Sequence, residues 1–252
     1  MIADPLFYAI AIPAVLLVGI SKTGFGGGLG MMATPMLALT MPVPQAAAIL
    51  LPILCLIDVL GIRLYWRDFD RRIMMTLLPG AVLGTLIGFA TFRIVDPRWT
   101  ELLVGLLAVT FALWQLLREQ LLKALPPSAP NAVKGFGWSA LGAFTSFIAH
   151  AGGPPLSIYL LPLRLEKTKL VGVTVIFFFA VNYMKLGPYF LLGQFDATNL
   201  TTSLILTPLA PIGVRAGRWL LERIPDQRFY PISYALLFLV GLKLIWDGAG
   251  LG

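Results

Sequence analysis

The sequence predicts an all-α, polytopic membrane protein made of two inverted-topology repeats, each a glycine-broken, re-entrant helix hairpin followed by three transmembrane helices. Three observations carry this reading. Long apolar segments recur along the whole chain, two glycine-rich breaks interrupt them at matching places, and positive charge gathers in alternate connections.

Of the 252 residues, 58% are hydrophobic and 12% charged, against about 45–50% and about 25% in soluble domains. Lipid is therefore the expected solvent. Apolar runs cover residues 6–20, 45–62, 73–92, 102–117, 170–192, 200–214 and 231–245, and several approach the ~20 residues that cross a bilayer as a helix. Transmembrane strands would instead alternate over ~10-residue segments. No Lys or Arg precedes Lys22 and no small-residue cleavage pattern follows the first run, so that run is expected to be retained structure rather than a signal peptide.

The first element is a hairpin over residues 6–39, divided by Ser21-Lys22-Thr23-Gly24-Phe25-Gly26-Gly27-Gly28-Leu29-Gly30 into two arms of roughly 15 residues. At 1.5 Å per residue each arm reaches ~22 Å, short of the ~30 Å hydrocarbon core. A re-entrant hairpin fits that length; two short, tilted crossings also satisfy it. Three full crossings follow, and then the polar, Pro-bearing stretch 117–135 links the halves. The expected division is residues 1–118 for the first repeat, 119–134 for a cytoplasmic linker and 135–252 for the second repeat.

Within the chain, 24–37 resembles 149–163, with Gly27-Gly28 over Gly152-Gly153. Residues 58–70 lie over 184–196, keeping Gly61 over Gly187 and Phe69-Asp70 over Phe195-Asp196, and 96–114 lies over 225–246. Short cytoplasmic loops collect Lys and Arg. Four groups qualify: Arg63, Arg67, Arg71 and Arg72; Arg118, Lys123 and Lys134; Arg164, Lys167 and Lys169; and Arg215, Arg218, Arg223 and Arg228. The connections at 40–44, 92–99 and 193–199 hold only Arg93 and Arg98. The loop after residue 62 is thus basic while its counterpart at 193–199 is not, which orients the halves oppositely and places both termini on the non-cytoplasmic side. Inverted repeats of this kind build many secondary transporters, with the site near mid-membrane.

A helix starting at a break leaves its first N–H groups unpaired and its positive dipole end facing the gap, and glycine lets an anion approach that backbone. Irregular backbone at membrane depth is tolerated where it is buried in protein or lines a wet cavity. Small-anion contacts are therefore expected from Ser21, Lys22, Thr23, Gly26, Gly27 and Gly28 at the first break and from Ser146, His150, Gly152 and Gly153 at the second. The competing reading gives the glycines to close helix packing and Lys22 to snorkelling. Asp58, the only acid well inside an apolar run, is either a proton-coupling group or the partner of Lys22 or Arg63. His150 is a second proton-coupling candidate, a substrate contact, or a structural histidine.

Asn182 is expected to make an interhelical hydrogen bond, Lys185 and Lys243 to snorkel, and the six Trp residues to anchor at the interfaces. The single Cys55 excludes an intrachain disulfide and a cysteine-rich metal site, and one histidine excludes a metal-spaced pair, so no cofactor or metal is expected. The +7 charge sits at the ends of apolar runs and speaks for topology rather than for nucleic acid. No glycine-rich phosphate loop followed by Lys-Ser/Thr is present, and an enzyme is not expected.

The segments Gly-Phe-Gly-Gly-Gly-Leu-Gly-Met-Met-Ala-Thr-Pro-Met-Leu (24–37), Ala-His-Ala-Gly-Gly-Pro-Pro-Leu-Ser-Ile-Tyr-Leu-Leu (149–161), Tyr-Trp-Arg-Asp-Phe-Asp (65–70) and Leu-Gly-Gln-Phe-Asp (192–196) resemble the TauE/SafE family of membrane transporters, the predicted sulfite exporters. The resemblance spans about residues 6–246. It implies movement of a small anion, often a sulfur oxyanion or organosulfonate such as sulfite or sulfoacetate, across the cytoplasmic membrane of a prokaryote. A passive anion channel and a non-transporting membrane assembly factor are the alternatives. The expected partners are a small anionic substrate and the lipid bilayer, with homo-oligomerisation left open.

Overall fold

The computed structural model describes residues 2–24, 28–92, 94, 97–124, 127–221 and 226–250. Gly26, Gly27, Arg93 and Arg223 lie outside them. Among the described residues there is helix and no strand. The elements are α1 (Pro5–Gly24), a 3-10 turn (Gly28–Met32), α2 (Ala33–Ala38), α3 (Val43–Tyr65), α4 (Arg71–Thr91), α5 (Pro97–Ala124) and α6 (Ala132–Ala149). Then follow α7 (Gly153–Leu160), a second 3-10 turn (Leu161–Leu163), α8 (Lys167–Leu191), α9 (Ala197–Leu206), α10 (Leu209–Leu221) and α11 (Asp226–Gly248).

By length and apolarity α1, α3, α4 and α8 can each cross a bilayer. Many large apolar side chains point outward, among them Met75 at 73%, Phe190 at 71% and Leu204 at 70% exposure. Such a surface would aggregate in water and suits lipid.

The hairpins differ from the equal arms expected. α1 has 20 residues, about 30 Å, which is long enough to span the hydrocarbon core. Its returning arm covers only residues 28–38, and part of that is 3-10. The second hairpin repeats the asymmetry, with the 18-residue α6 followed by a short arm over residues 153–163. In α1 the helix runs on through Ser21 and Lys22 because both side chains find partners inside the protein. Likewise the run 200–214 is two helices rather than one, since Pro208, between α9 and α10, has no N–H with which to continue the ladder.

The repeated Phe-Asp pair has a structural cause. Asp70 caps α4, accepting from the N–H groups of Arg72 and Ile73 at 2.8 and 3.2 Å. Asp196 caps α9, accepting from Asn199 N–H at 2.8 Å. A helix that begins at a membrane interface gains from a carboxylate on its orphan donors. Asn131 does the same for α6 through Lys134 N–H.

Helix pairing follows small residues. Gly80, Gly84 and Gly88 make an i, i+4 stripe on α4 that lies against Phe136, Ala140 and Phe147 of α6, so these helices run parallel. Contact is so close that a Cβ on Gly88 would stand 2.6 Å from Phe147 Cβ. Lipid supplies no hydrophobic drive between helices, so close van der Waals approach of this kind holds them. α1 lies parallel to the α9–α10 segment, with Ile2 N–H donating to Thr202 Oγ1 at 3.2 Å at one end and Gly19 against Gly213 at the other. Two further pairs are antiparallel. Along α3 and α8, Asp58 meets Asn182 and Gly61 meets Val175; along α5 and α11, Gly105 meets Gly241 and Leu102 meets Gly248.

Of the expected interfacial tryptophans, Trp66, Trp99, Trp219 and Trp246 are exposed, while Trp114 and Trp138 pack against buried clusters. Gly84→Leu should drive a side chain into the Ala140 backbone and destabilise the protein by about 1–3 kcal/mol or more. Leu86→Ala, on the outward face of the same helix, should change stability by under about 0.5 kcal/mol. Thermal unfolding in detergent measures both.

Candidate functional site

Lys22 closes the last turn of α1, and its Nζ makes an ion pair with Asp58 of α3. The other Asp58 oxygen accepts from Asn182 Nδ2 of α8 at 2.6 Å. Asp58 is 1% exposed and the Lys22 side chain 12%. Taking two charges out of water is costly unless each is paired and the remaining lone pairs are met, and the carboxylate here receives an ammonium on one oxygen and an amide on the other. Of the alternatives open in the sequence, Asp58 thus pairs with Lys22 rather than Arg63, and Asn182 makes the expected interhelical bond.

The second break holds the other polar group. α6 ends where His150 enters the left-handed region, at φ 54°, a position usually given to glycine. This turn aims the imidazole back across the helices, where Nε2 lies 2.9 Å from Ala47 O of α3 and Nδ1 lies 2.8 Å from Lys185 Nζ of α8. A carbonyl only accepts, so Nε2 carries the proton and Nδ1 is the acceptor. Lys185 Nζ also lies 2.9 Å from Ser146 O and 3.2 Å from Ser146 Oγ, so it has three polar partners. Lys185 is fully buried, which corrects the snorkelling expected of it. Lys243 is exposed and paired with Asp247 at 2.7 Å.

Between the two groups lies a cavity of about 20 Å³ lined by Lys22, Gly30, Met31, Leu54, Ser146, His150, Gly153, Phe178 and Asn182. That is room for roughly one water. Leu54 is the middle residue of α3 and Phe178 lies next to the middle of α8, so the cavity sits at half the depth of both. The Phe178 ring centroid is 5.8 Å from Lys22 Nζ, within cation–π range.

Of the residues expected to bind an anion, Lys22, Ser146, His150 and Gly153 line this cavity. Ser21 is buried, with Oγ accepting from Gly30 N–H at 2.9 Å. Gly28 opens the first 3-10 turn, and Thr23 belongs to the last turn of α1. Gly26 and Gly27 lie outside the described residues. Gly152 has a packing role, since a Cβ there would strike Gly142 O and lie 2.9 Å from the Phe178 ring. The amide supply at the second break is smaller than a bare helix start would give. Pro154 and Pro155 have no N–H, and Leu156 N–H is bonded to Gly152 O, which leaves Gly153 N–H among the first four.

The residue missed from sequence was Lys185. The register that lays 58–70 over 184–196 sets Lys185 beside the counterpart of Asp58, and its i, i+3 spacing from Asn182 puts both on one face of α8. That alignment was the available signal.

The fold is that of a multi-pass membrane protein with a small cavity at mid-depth between two polar groups. The sulfite exporter TauE/SafE family model matches residues 11–244, and the chain belongs to that family. It is 31% identical over 185 residues, 72% of this chain and 74% of the relative, to the probable inner membrane transporter protein TsaS of Comamonas testosteroni. No solved structure matches.

Removing one partner of the buried pair, as in Lys22→Met or Asp58→Leu, should cost about 3–5 kcal/mol, and the double variant should recover most of that loss. Unfolding in detergent across the four-member cycle measures the coupling.

Proposed function

We propose that the protein is a secondary transporter that carries a small sulfur oxyanion or organosulfonate, such as sulfite or sulfoacetate, across the cytoplasmic membrane by alternating access. The observation that carries this reading is the mid-depth cavity flanked by the partly buried Lys22 and the fully buried Lys185, one brought by each half of the chain. Repeats of inverted topology, 1–118 and 135–252, deliver them there. Support comes from the helix pairs. Exchanging α1 with α6, α3 with α8, α4 with α9–α10 and α5 with α11 turns the parallel α4–α6 pair into the parallel pair of α1 with α9–α10. The same exchange leaves the antiparallel α3–α8 and α5–α11 pairs as they are. A twofold axis in the membrane plane has this consequence.

The substrate site consists of Lys22, Ser146, His150 and Gly153 with the adjoining backbone of the first break, and Asp58 or His150 is the proton-coupling group. A cavity the size of a water does not admit a sulfonate, so the two halves must part on one side before an anion enters. That favours a gated carrier over an open passage.

In proteoliposomes, sulfite or sulfoacetate flux should saturate, respond to an imposed proton gradient, and fall roughly ten-fold or more in the Lys22→Met/Asp58→Leu double variant, as loss of a charged hydrogen-bonding group requires. Non-saturating flux indifferent to the gradient would identify a channel, and no flux an assembly factor. In a Cys55→Ala background, cysteines placed at Asp4 and Gln194 should label from the non-cytoplasmic side, and those at Arg67 and Ser128 from the cytoplasmic side. Uniform labelling would remove the inverted topology.

A further inference from the structure

α3 consists of two arms tied to different parts of the chain. Pro52 lies inside it and has no N–H for Ala48 O, so the backbone ladder is interrupted there, next to Leu54 of the cavity wall. Beyond Pro52, Asp58 ties the second arm to Lys22 of α1 and Asn182 of α8. Before Pro52, the first arm is tied to α9. Gln45 Nε2 donates to Asn199 Oδ1 at 3.3 Å. Ser203 Oγ donates to Ile49 O at 2.7 Å, a shorter contact than its 2.9 Å to Asn199 O in its own helix. Asn199 and Ser203 are both buried, and the Asn199 amide is itself fixed by donating to Gln194 O and Asp196 Oδ2, each at 2.9 Å.

The other half lacks the proline and the polar contacts. Continuing the register that lays 58–70 over 184–196 sets Phe178 over Pro52, Val171 over Gln45 and Val175 over Ile49, with Ile73 and Leu77 over Asn199 and Ser203. Ile73 and Asn199 correspond in the fold as well, each being the third residue of a helix capped by its aspartate. Val171, Val175, Ile73 and Leu77 are all buried, and α8 packs on α4 as α3 packs on α9. Because α3 and α8 are antiparallel, the polar and apolar contacts lie at opposite ends of that pair. Hydrogen bonds can be exchanged for bonds to water when a contact parts, whereas apolar side chains lose free energy on exposure. The polar end is therefore the one built to part and close again.

We infer that the first arm of α3, residues 43–51, is a gate jointed at Pro52, and that Gln45, Asn199 and Ser203 are positioning residues that latch it shut. This rests on the reading of the protein as an alternating-access carrier and specifies how one side of its cavity opens. The arm also covers a thiol. Val43, Ala47, Ala48 and Leu51 share one buried cluster with Cys55, which is 8% exposed, so swinging the arm aside uncovers Cys55.

The test follows Cys55, the single cysteine, in the full chain. A membrane-impermeant, charged methanethiosulfonate is added to right-side-out and to inverted vesicles of the expressing cells, and the labelling rate is read from each side. From the side on which Gln194 lies, Ser203→Ala and Gln45→Leu should each speed labelling roughly five-fold, as loss of one hydrogen bond in the shut state allows. From the opposite side neither should change it. Pro52→Ala restores the ladder and should slow labelling below the wild-type rate. Leu77→Ala, at the apolar counterpart of Ser203, should not speed labelling from the Gln194 side. Where Ser203→Ala fails to fold, Gln45→Leu, whose side chain is only half-buried, carries the test. Unchanged labelling in both latch variants, or equal acceleration from both sides, would overturn the latch. Pro52→Ala labelling as fast as wild type would overturn the joint. Labelling needs no transported solute, so a failed latch is told apart from a failed carrier reading, which shows as absent flux.

Discussion

The bridge from Lys22 through Asp58 to Asn182 ties together three elements that lipid alone would not hold in register. α1 ends at it, α3 carries it one turn from its centre, and α8 meets it from the antiparallel side. A lysine in the last turn of a helix also opposes the negative end of that helix's dipole, so Lys22 is favourably placed twice over. The same placement explains why α1 continues past the apolar run that defines it in sequence. Once the ammonium has a buried carboxylate, there is no reason for the helix to stop before Ser21, and it runs on to Gly24.

That displacement shows which parts of the architecture a sequence displays. Apolar runs, the two breaks and the repeated Phe-Asp pair were readable because each reports a local requirement: a hydrocarbon span, an interruption of the backbone ladder, or an N-cap. The unequal hairpin arms were not, since their lengths depend on what Lys22 and Ser21 bond across the fold. Nor was the division of 200–214 into α9 and α10 taken from Pro208, because proline is tolerated in membrane helices often enough to be passed over. Lys185 was misplaced for a similar reason. Counting from the helix end put it within reach of an interface, whereas its partners Ser146 and His150 come from another helix and leave no trace in local spacing.

The glycines divide by context in a way the sequence could not. Those of α4 serve packing, and so does Gly152, although it belongs to a motif that looks like an anion cradle. Its neighbour Gly153 reaches the cavity. A single dipeptide thus holds one residue for helix contact and one for the site, and the tight fit of the first fixes the position of the second. At the first break the Ser21 hydroxyl takes Gly30 N–H, which shows how a membrane protein satisfies irregular backbone with its own side chains where water is scarce.

The two polar groups of the cavity are unlike in a manner that bears on movement. The Lys22 group pairs an ammonium with a carboxylate and joins α1 to α3 and α8, whereas the Lys185 group has no carboxylate among the described residues and joins α6 to α3 and α8. α3 and α8 are the antiparallel pair through which both groups are anchored, and the hairpins α1 and α6 pack outward on α9–α10 and α4. Parting one hairpin from the central pair would break one group and leave the other whole. Separation on the α1 side strands Asp58, and on the α6 side strands Lys185. The two groups are therefore unequal restraints, an ion pair holding α1 and hydrogen bonds between a lysine and uncharged partners holding α6, and the two separations need not cost the same.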